Sequence, residues 1–340
     1  ASGTGDGDIL REGDFTTGSP SVNTQSVALG GLCGGGSGTI DVIVTVYSSN
    51  RSAKAKTTER MKILKLDKTT VSGSPNGLTT STTGNGYRVD DERISLGCGD
   101  VFKIKGVFES ENDLDPVLPQ FQYTNLLGDL EVDDVITGDT SGSRGRIIST
   151  TSNIVYFIPV EDDVFTDGET ITAPNATLKI VTGTSKKGST NVTDNFDLDD
   201  GQRDQYYDYS ALVRKAGYTA PTRRLYVIVD RFLTTSGINP YTVDSYATSE
   251  YKIIPGYADD ELRDVIDFRP IVVEGLSGGG SVASPWALSA TKYFDFDNRA
   301  FTGNLTGLPG IGDTTILSLQ HYLGRVDKVF MNKDNIVQVV

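Results

Sequence analysis

Short runs of alternating, β-branched residues, cut by turns of Gly, Asp, Ser and Asn, recur through this chain and narrow what it can fold into. Thr39 opens the first, Ile40-Asp-Val-Ile-Val-Thr-Val-Tyr47, and "RMKILKL", from Arg60 to Leu66, is a second. Arg93 to Leu96 and Asp100 to Glu109 ("DVFKIKGVFE") continue the pattern. Period-two alternation places every second side chain on one face, the mark of a half-buried strand. With 38 glycines among 340 residues to make the turns, the pattern predicts many strands joined tightly. The expected class is mainly β, with several small β-sandwich or β-barrel modules in tandem and one or two short helices.

Four segments follow from shifts in composition. Residues 1–38 are rich in Gly, Ser and Thr and read as an extended arm, or as the end of a preceding module. Their opening, without an initiator Met, reads as a chain whose Met was removed or as part of a longer polypeptide. Residues 39–115 read as a small β-sandwich, ending at Asp113-Leu-Asp-Pro-Val-Leu-Pro119, where two prolines resist both helix and sheet. Residues 120–188 alternate in short runs (134–136, 145–149, 154–160, 169–172) that suit a hairpin module or minibarrel. Residues 189–340 form a further β-rich domain. In it, Arg203 to Ala216 has enough helix formers for one short helix closed by Gly217, and "ADDELRDVIDFRPI" for one helical turn before a strand. Leu225 to Arg231 reads as a buried strand, Tyr241 to Tyr246 and Tyr251 to Ile254 as alternating strands, and Ser277 to Ser281 as a Gly-rich break. A strand pair is expected over 286–296, and a hairpin over 321–330 and 335–340.

The formal net charge of −14 lowers the prospect of binding nucleic acid or an anionic membrane surface. No apolar run approaches the ~20 residues that span a bilayer, and no basic-then-apolar leader opens the chain. Cys33 and Cys98, 65 positions apart, make neither a metal knuckle nor a disulfide framework. They read as buried thiols, with a single bridge as the alternative. A basic run (Arg51, Lys54, Lys56, Arg60, Lys62, Lys65, Lys68) is either a solvated strand face or a dock for an acidic neighbour.

Little in the chain suggests catalysis. Its one histidine, His321, lies in a strand pattern with no nucleophile elbow or helix-start cysteine to complete a site. The Gly-rich segments 34–38 and 278–280 lack the Lys-Ser/Thr ending of a phosphate cradle. Acid pairs of the glycosidase kind arise by chance among 45 Asp and Glu, and no coil repeat points to a depolymerase. No enzyme activity and no cofactor are expected.

The densest wording runs from Asn191 to Gly217, "NVTDNFDLDDGQRDQYYDYSALVRKAG". Its carboxylates Asp194, Asp197, Asp199, Asp200 and Asp204 admit two readings. One is an Asp-rich turn capping the following helix; the other is a structural cation held chiefly by Asp197, Asp199 and Asp200, though the spacing departs from a helix-loop-helix calcium loop. Tyr206, Tyr207, Tyr209 and Tyr218 either pack on the domain's own sheet or, with Trp286, anchor an interface.

"FDLDDGQRDQYYDY", then "LYVIVDRF", then "TVDSY…YKIIPGY…LRDVIDFRP" resemble large virion structural proteins of contractile-tailed marine phages, mainly those of cyanobacteria. The likeness covers Thr190 to Pro270 and extends over Tyr293 to Val340; the phrases "GDTSGSRGRI" and "FTDGETIT" resemble a small β module of phage tail and fibre proteins. It implies a non-enzymatic building block of a tail, baseplate, neck or collar, or fibre, assembled as a trimer or six-fold set and docked to neighbouring phage structural proteins in the virion. The alternative is a receptor- or glycan-binding module of a tail fibre that meets host surface glycans. A surface adhesin of β-sandwich modules is a third reading.

Overall fold

The computed structural model describes residues 52–67, 89, 91–160, 164–234 and 239–288, with the backbone of the strand segments 21–22, 27–28, 85–86, 329–331 and 337–339. The chain divides into two compact units, Ala1–Ser48 and Ser49–Val340. In the first, β1 (Ser21–Val22) pairs antiparallel with β2 (Val27–Ala28). The strand expected over 39–47, Cys33 and His321 lie outside the described residues.

The second unit begins with β3 (Lys56–Leu66), β4 (Asn85–Gly86), β5 (Arg93–Ser95) and β6 (Val101–Glu109). Next come β7 (Gln120–Gly128), β8 (Val135–Gly138), β9 (Arg144–Thr150), β10 (Ile154–Pro159), β11 (Thr170–Ala173) and β12 (Ala176–Ile180), which close into a barrel in the order β10-β7-β12-β11-β8-β9. Then follow β13 (Thr190–Asn191), β14 (Phe196–Asp199), β15 (Ala211–Arg214), β16 (Leu225–Thr234), β17 (Gly256–Tyr257), β18 (Asp260–Glu261), β19 (Leu276–Ser277) and β20 (Trp286–Leu288). Near the C-terminus β21 (Val329–Met331) pairs with β22 (Val337–Val339). The protein is mainly β, and the helical segments among the described residues are 3-10 turns.

Sheet order corrects the expected division at 39–115 and 189–340. One six-stranded sheet runs β13-β6-β16-β3-β20-β19, so β16 lies between two strands that precede it by more than a hundred residues. A four-stranded sheet, β14-β15-β5-β4, mixes both segments in the same way. The barrel is an insertion into this sandwich. It leaves after β6 and returns at β13, and Glu109 pairs with Thr190 across the insertion point. The chain thus crosses the barrel inside what is topologically a β6–β13 hairpin. Such an insertion costs little entropy, because closure cost rises only with the logarithm of length.

The continuous apolar run Leu225–Val229 has a simple physical reason. Leu225, Val227 and Val229 face the sandwich core with Leu64, Leu66, Ile94, Leu96 and Leu212. Tyr226 and Ile228, on the other face, pack with Ile63, Phe108 and the barrel residues Ile148 and Ile158. A strand covered on both sides has no polar face to show.

Tertiary pairing overrides the expected helix over 203–216. Ser210 exchanges backbone bonds with Cys98 and Leu96 at 2.8 Å each, and β15 pairs with both β14 and β5. Leu212 sits fully buried in the sandwich core. A helix would forfeit that ladder, and its propensity advantage is a few tenths of a kcal/mol per residue. Gly217 keeps its turning role, at φ 91°. Val243–Ser245 and Thr248–Ile253 form 3-10 turns where strands were expected, the first closed by reciprocal Thr242–Ser245 hydrogen bonds. Leu262–Asp264 is the expected single helical turn, here 3-10.

The barrel, core-packed by Phe121, Phe157 and Phe165, carries its own latch. Glu169 accepts hydrogen bonds from the Thr140 and Ser141 N–H groups (2.9 Å each), the Ser141 hydroxyl (2.8 Å) and the Thr166 N–H (2.6 Å). A Cβ on Gly138 would lie 2.6 Å from Glu169 Oε2, so this close approach requires glycine. Burial pushes the Glu169 carboxyl up, but the Ser141, Thr140 and Thr166 bonds outweigh it and hold the pKa below the usual value. A lowered folded pKa stabilises at neutral pH, and the contribution is lost as pH falls through it. Glu169→Ala is expected to cost about 1–3 kcal/mol in urea unfolding at neutral pH. The gap from the parent protein should narrow near pH ~3, below the ordinary carboxyl value.

Candidate functional site

Polar side chains sealed between β16 and its neighbours form three clusters, each built where β16 or the strands beside it bring distant charges together. The first surrounds Lys56, at the start of β3, with a side chain 0% exposed. Its ammonium lies 2.6 Å from Asp100, the residue before β6. The rings of Tyr241, Tyr207, Tyr246 and Phe232 surround the nitrogen with centroids at 4.5, 4.7, 5.3 and 5.5 Å. Burying such a pair costs several kcal/mol per ion. The Coulomb attraction and the ring faces, each worth roughly 0.5–2 kcal/mol, offset that cost. Burial opposes the charge on Lys56, yet Asp100 prevails and holds the ammonium pKa well above its ordinary value.

Behind this cage, Tyr207 donates to Asp267 Oδ2 at 2.5 Å. Arg269 clasps the same carboxylate through Nε (3.0 Å) and Nη2 (2.9 Å) and reaches Tyr207 Oη at 3.2 Å. Burial raises the Asp267 carboxyl, but the Arg269 and Tyr207 bonds outweigh it and leave the pKa lowered. Burial also lifts the Tyr241 phenol to about 12.

The second cluster joins the sheet to the barrel. Asp230, fully buried in β16, accepts from the Met61 N–H at 2.9 Å and pairs with Lys105 (3.0 Å) and Arg60 (3.3 Å). Asp133, on the loop between β7 and β8, binds the same two cations (Lys105 2.8 Å, Arg60 3.4 Å) and also Arg146 of β9 (3.1 Å). Two carboxylates, one from each body, therefore share one set of cations. The register of β16 shifts between Val229 and Arg231 on both sides, and Met61 adopts φ 53°, a bulge that turns its N–H onto Asp230.

The third cluster centres on Arg231, next along β16. It pairs with Glu59 (2.7 Å) and Glu274 (2.5 Å), and its guanidinium stacks 4.4 Å from the Trp286 ring centre. Cys98 is fully buried, and burial pushes its thiol to about 12, far from nucleophilic character.

The residues singled out from sequence separate accordingly. Tyr207 is completely buried and belongs to the core. Tyr209 is half-buried and donates to the Val273 carbonyl at 2.8 Å. Tyr206 is half-buried, and Tyr218 is exposed. Trp286 is half-buried between Arg231 and Lys62, whose ammonium lies 4.9 Å from the ring centre. The Asp-rich turn disperses its acids. Asp199 is bound by Arg93, by Arg203 and by the Gly201 N–H; Asp200 accepts from the Gln202 N–H and side chain; Asp197 reaches Lys215 at 3.5 Å. Among the described residues no group of three or more His, Cys, Asp or Glu converges to hold a metal. No helix of the described residues is long and apolar enough to cross a membrane.

The described members of the basic run are engaged within the chain. Lys56, Arg60, Lys62 and Lys65 pair with Asp100, with Asp133 and Asp230, with Glu59 and with Asp115, respectively, and Lys54 lies 4.3 Å from the Tyr241 ring centre. Its one sequence signal was position: Lys56 and Arg60 belong to a strand whose neighbours are apolar. A cleft of about 240 Å³ opens between barrel and sheet, walled by Phe157, Pro159, Val164 and Phe165 and rimmed by Lys186 and Lys187. Its lining includes neither histidine nor cysteine.

The chain matches no known family model, no curated protein and no solved structure.

Asp230→Ala should cost about 3–5 kcal/mol in chemical unfolding, since Lys105 and Arg60 would be left facing a buried void of charge. Asp133→Ala is expected to cost less, about 1–3 kcal/mol. It should also speed limited proteolysis of the two barrel connections, 110–119 and 181–189, because the clamp between the bodies is released.

Proposed function

We propose that this chain is a virion structural protein, a non-enzymatic building block of a tailed phage's tail, baseplate, neck or collar, or fibre apparatus. Its wording over Thr190 to Pro270 supports that reading. The structural observation in favour is the direction in which its charges are used. Lys56, Lys105, Arg60 and Arg231 brace strands and clamp barrel to sheet. Such bracing suits a part that transmits load. None of these clusters frames a hydroxyl or thiol nucleophile beside a base.

Docking falls to the outer surface. At the β7–β8 end of the barrel, Leu126, Leu127 and Val132 are exposed, Leu127 by 71%. Exposed apolar residues close together in sequence on a rigid body favour contact with another protein. The partners are copies of this chain, in a trimer or six-fold set, and neighbouring virion proteins.

Gold-labelled antibody against 190–270, applied to purified particles, should mark discrete positions on the tail, baseplate or neck. Label confined to distal fibre ends would favour receptor or glycan binding, and absence of label from intact and disrupted particles would end the virion reading. In solution, Leu127→Asp should weaken self-association at least about tenfold by sedimentation, a loss of ~1.4 kcal/mol, while circular dichroism stays unchanged.

A further inference from the structure

Lys56 and Asp100 are more than an ion pair in their placement. An amine and a carboxyl group approach to 2.6 Å with side chains 0% and 3% exposed. The Lys56 nitrogen thus lies directly against the Asp100 carboxyl, inside a cage that seals both from water. Tyr246 is buried in the same cage, with Lys56 Nζ 5.3 Å from its ring centre. Asp100 holds a left-handed backbone at φ 60°, a conformation that non-glycine residues adopt at a cost and that clusters where geometry matters.

We propose that Lys56 and Asp100 condense into an intramolecular isopeptide bond between Nζ and Cγ. One proton first crosses from the ammonium to the carboxylate, which leaves the charge of the pair unchanged and gives neutral amine and neutral acid. The Nζ lone pair then attacks Cγ. The tetrahedral adduct collapses with the acid's hydroxyl leaving, and that hydroxyl takes the second Nζ proton and departs as water. No oxidant, metal or cofactor enters the balance.

The surroundings favour each step. A dry cage disfavours separated charges and so brings the neutral tautomer within reach. Burial pushes the Asp100 carboxyl above its ordinary range even against the pull of Lys56, while Asp100 holds the Lys56 ammonium charged, so the proton has to cross within the pair before the attack. Lys54, over the Tyr241 ring, Asp267, held by Arg269 and Tyr207, and Asp200 also bear on the pair. The rings of Tyr207, Tyr241 and Phe232 exclude the water that would reverse the reaction. The bond would tie β3 to the start of β6, the two strands that flank β16, at the end where Asp100 C=O accepts from the Phe232 N–H. A covalent tie there resists the sliding of β16 out of the sheet.

Intact-mass spectrometry of the full chain decides the matter. The expected result is a mass one water (about 18 Da) below the sequence mass, and a tryptic digest containing a branched peptide that joins 55–60 to 94–103. Lys56→Arg, which keeps the cation but cannot condense, should show its own full sequence mass and give the 94–103 peptide without a branch. Full sequence mass in the parent protein overturns the proposal. So does a water loss with both peptides recovered unlinked, since dehydration would then lie elsewhere. Should Lys56→Arg fail to fold, the parent mass and its fragments still decide.

Discussion

Everything described in the second unit depends on β16 being covered on both faces while carrying two charges through its middle. Leu225, Val227 and Val229 complete the sandwich core; Tyr226 and Ile228 meet the barrel. Asp230 and Arg231, both essentially unexposed, then interrupt the apolar run. A strand of this kind cannot shift register by one residue without driving both charges into the wrong environment. The bulge after Val229 sends Asp230 toward the barrel clamp while Arg231 reaches Glu59 and Trp286. The hydrophobic residues supply the drive for burial, and the charges fix which arrangement is reached.

Magnitudes support that division of labour. Buried ion pairs are weak sources of net stability, because desolvation consumes most of the Coulomb gain. Loss of one partner is costly, because a bare charge remains inside. Lys56, Lys105, Asp230 and Arg231 are therefore better understood as specifying one alignment of strands than as adding stability in proportion to their number. The same holds at the junction of barrel and sheet, where apolar contact through Phe108, Ile148 and Ile158 is indifferent to small rotations. Asp133 and Asp230, bound to the same lysine and arginine, are not.

This architecture fits a mechanical role. A closed barrel has no sheet edge to recruit unwanted strands, and its insertion between paired strands β6 and β13 means that both of its chain connections leave from one place. The barrel is joined to the sandwich through two adjacent connections and one ionic clamp.

Sequence alone determined the strand-rich class, the barrel interval and the burial of Leu225 to Arg231, because alternation and turn residues are local properties and these elements obey them. The phrases "GDTSGSRGRI" and "FTDGETIT" meet in the barrel, where Glu169 bonds back to Thr140 and Ser141. Only the tertiary structure decided that 39–115 and 189–340 share sheets, that 203–216 supplies strand β15 in place of a helix, and that Tyr207 belongs inside. The sealed pair Lys56–Asp100 was hidden for the same reason. Its two members lie in different strands, and each looks like an ordinary surface charge until β16 and its aromatic neighbours close over both. Local pattern reports which face a residue occupies; which distant residue shares that face is settled by strand order, and strand order is a property of the whole chain.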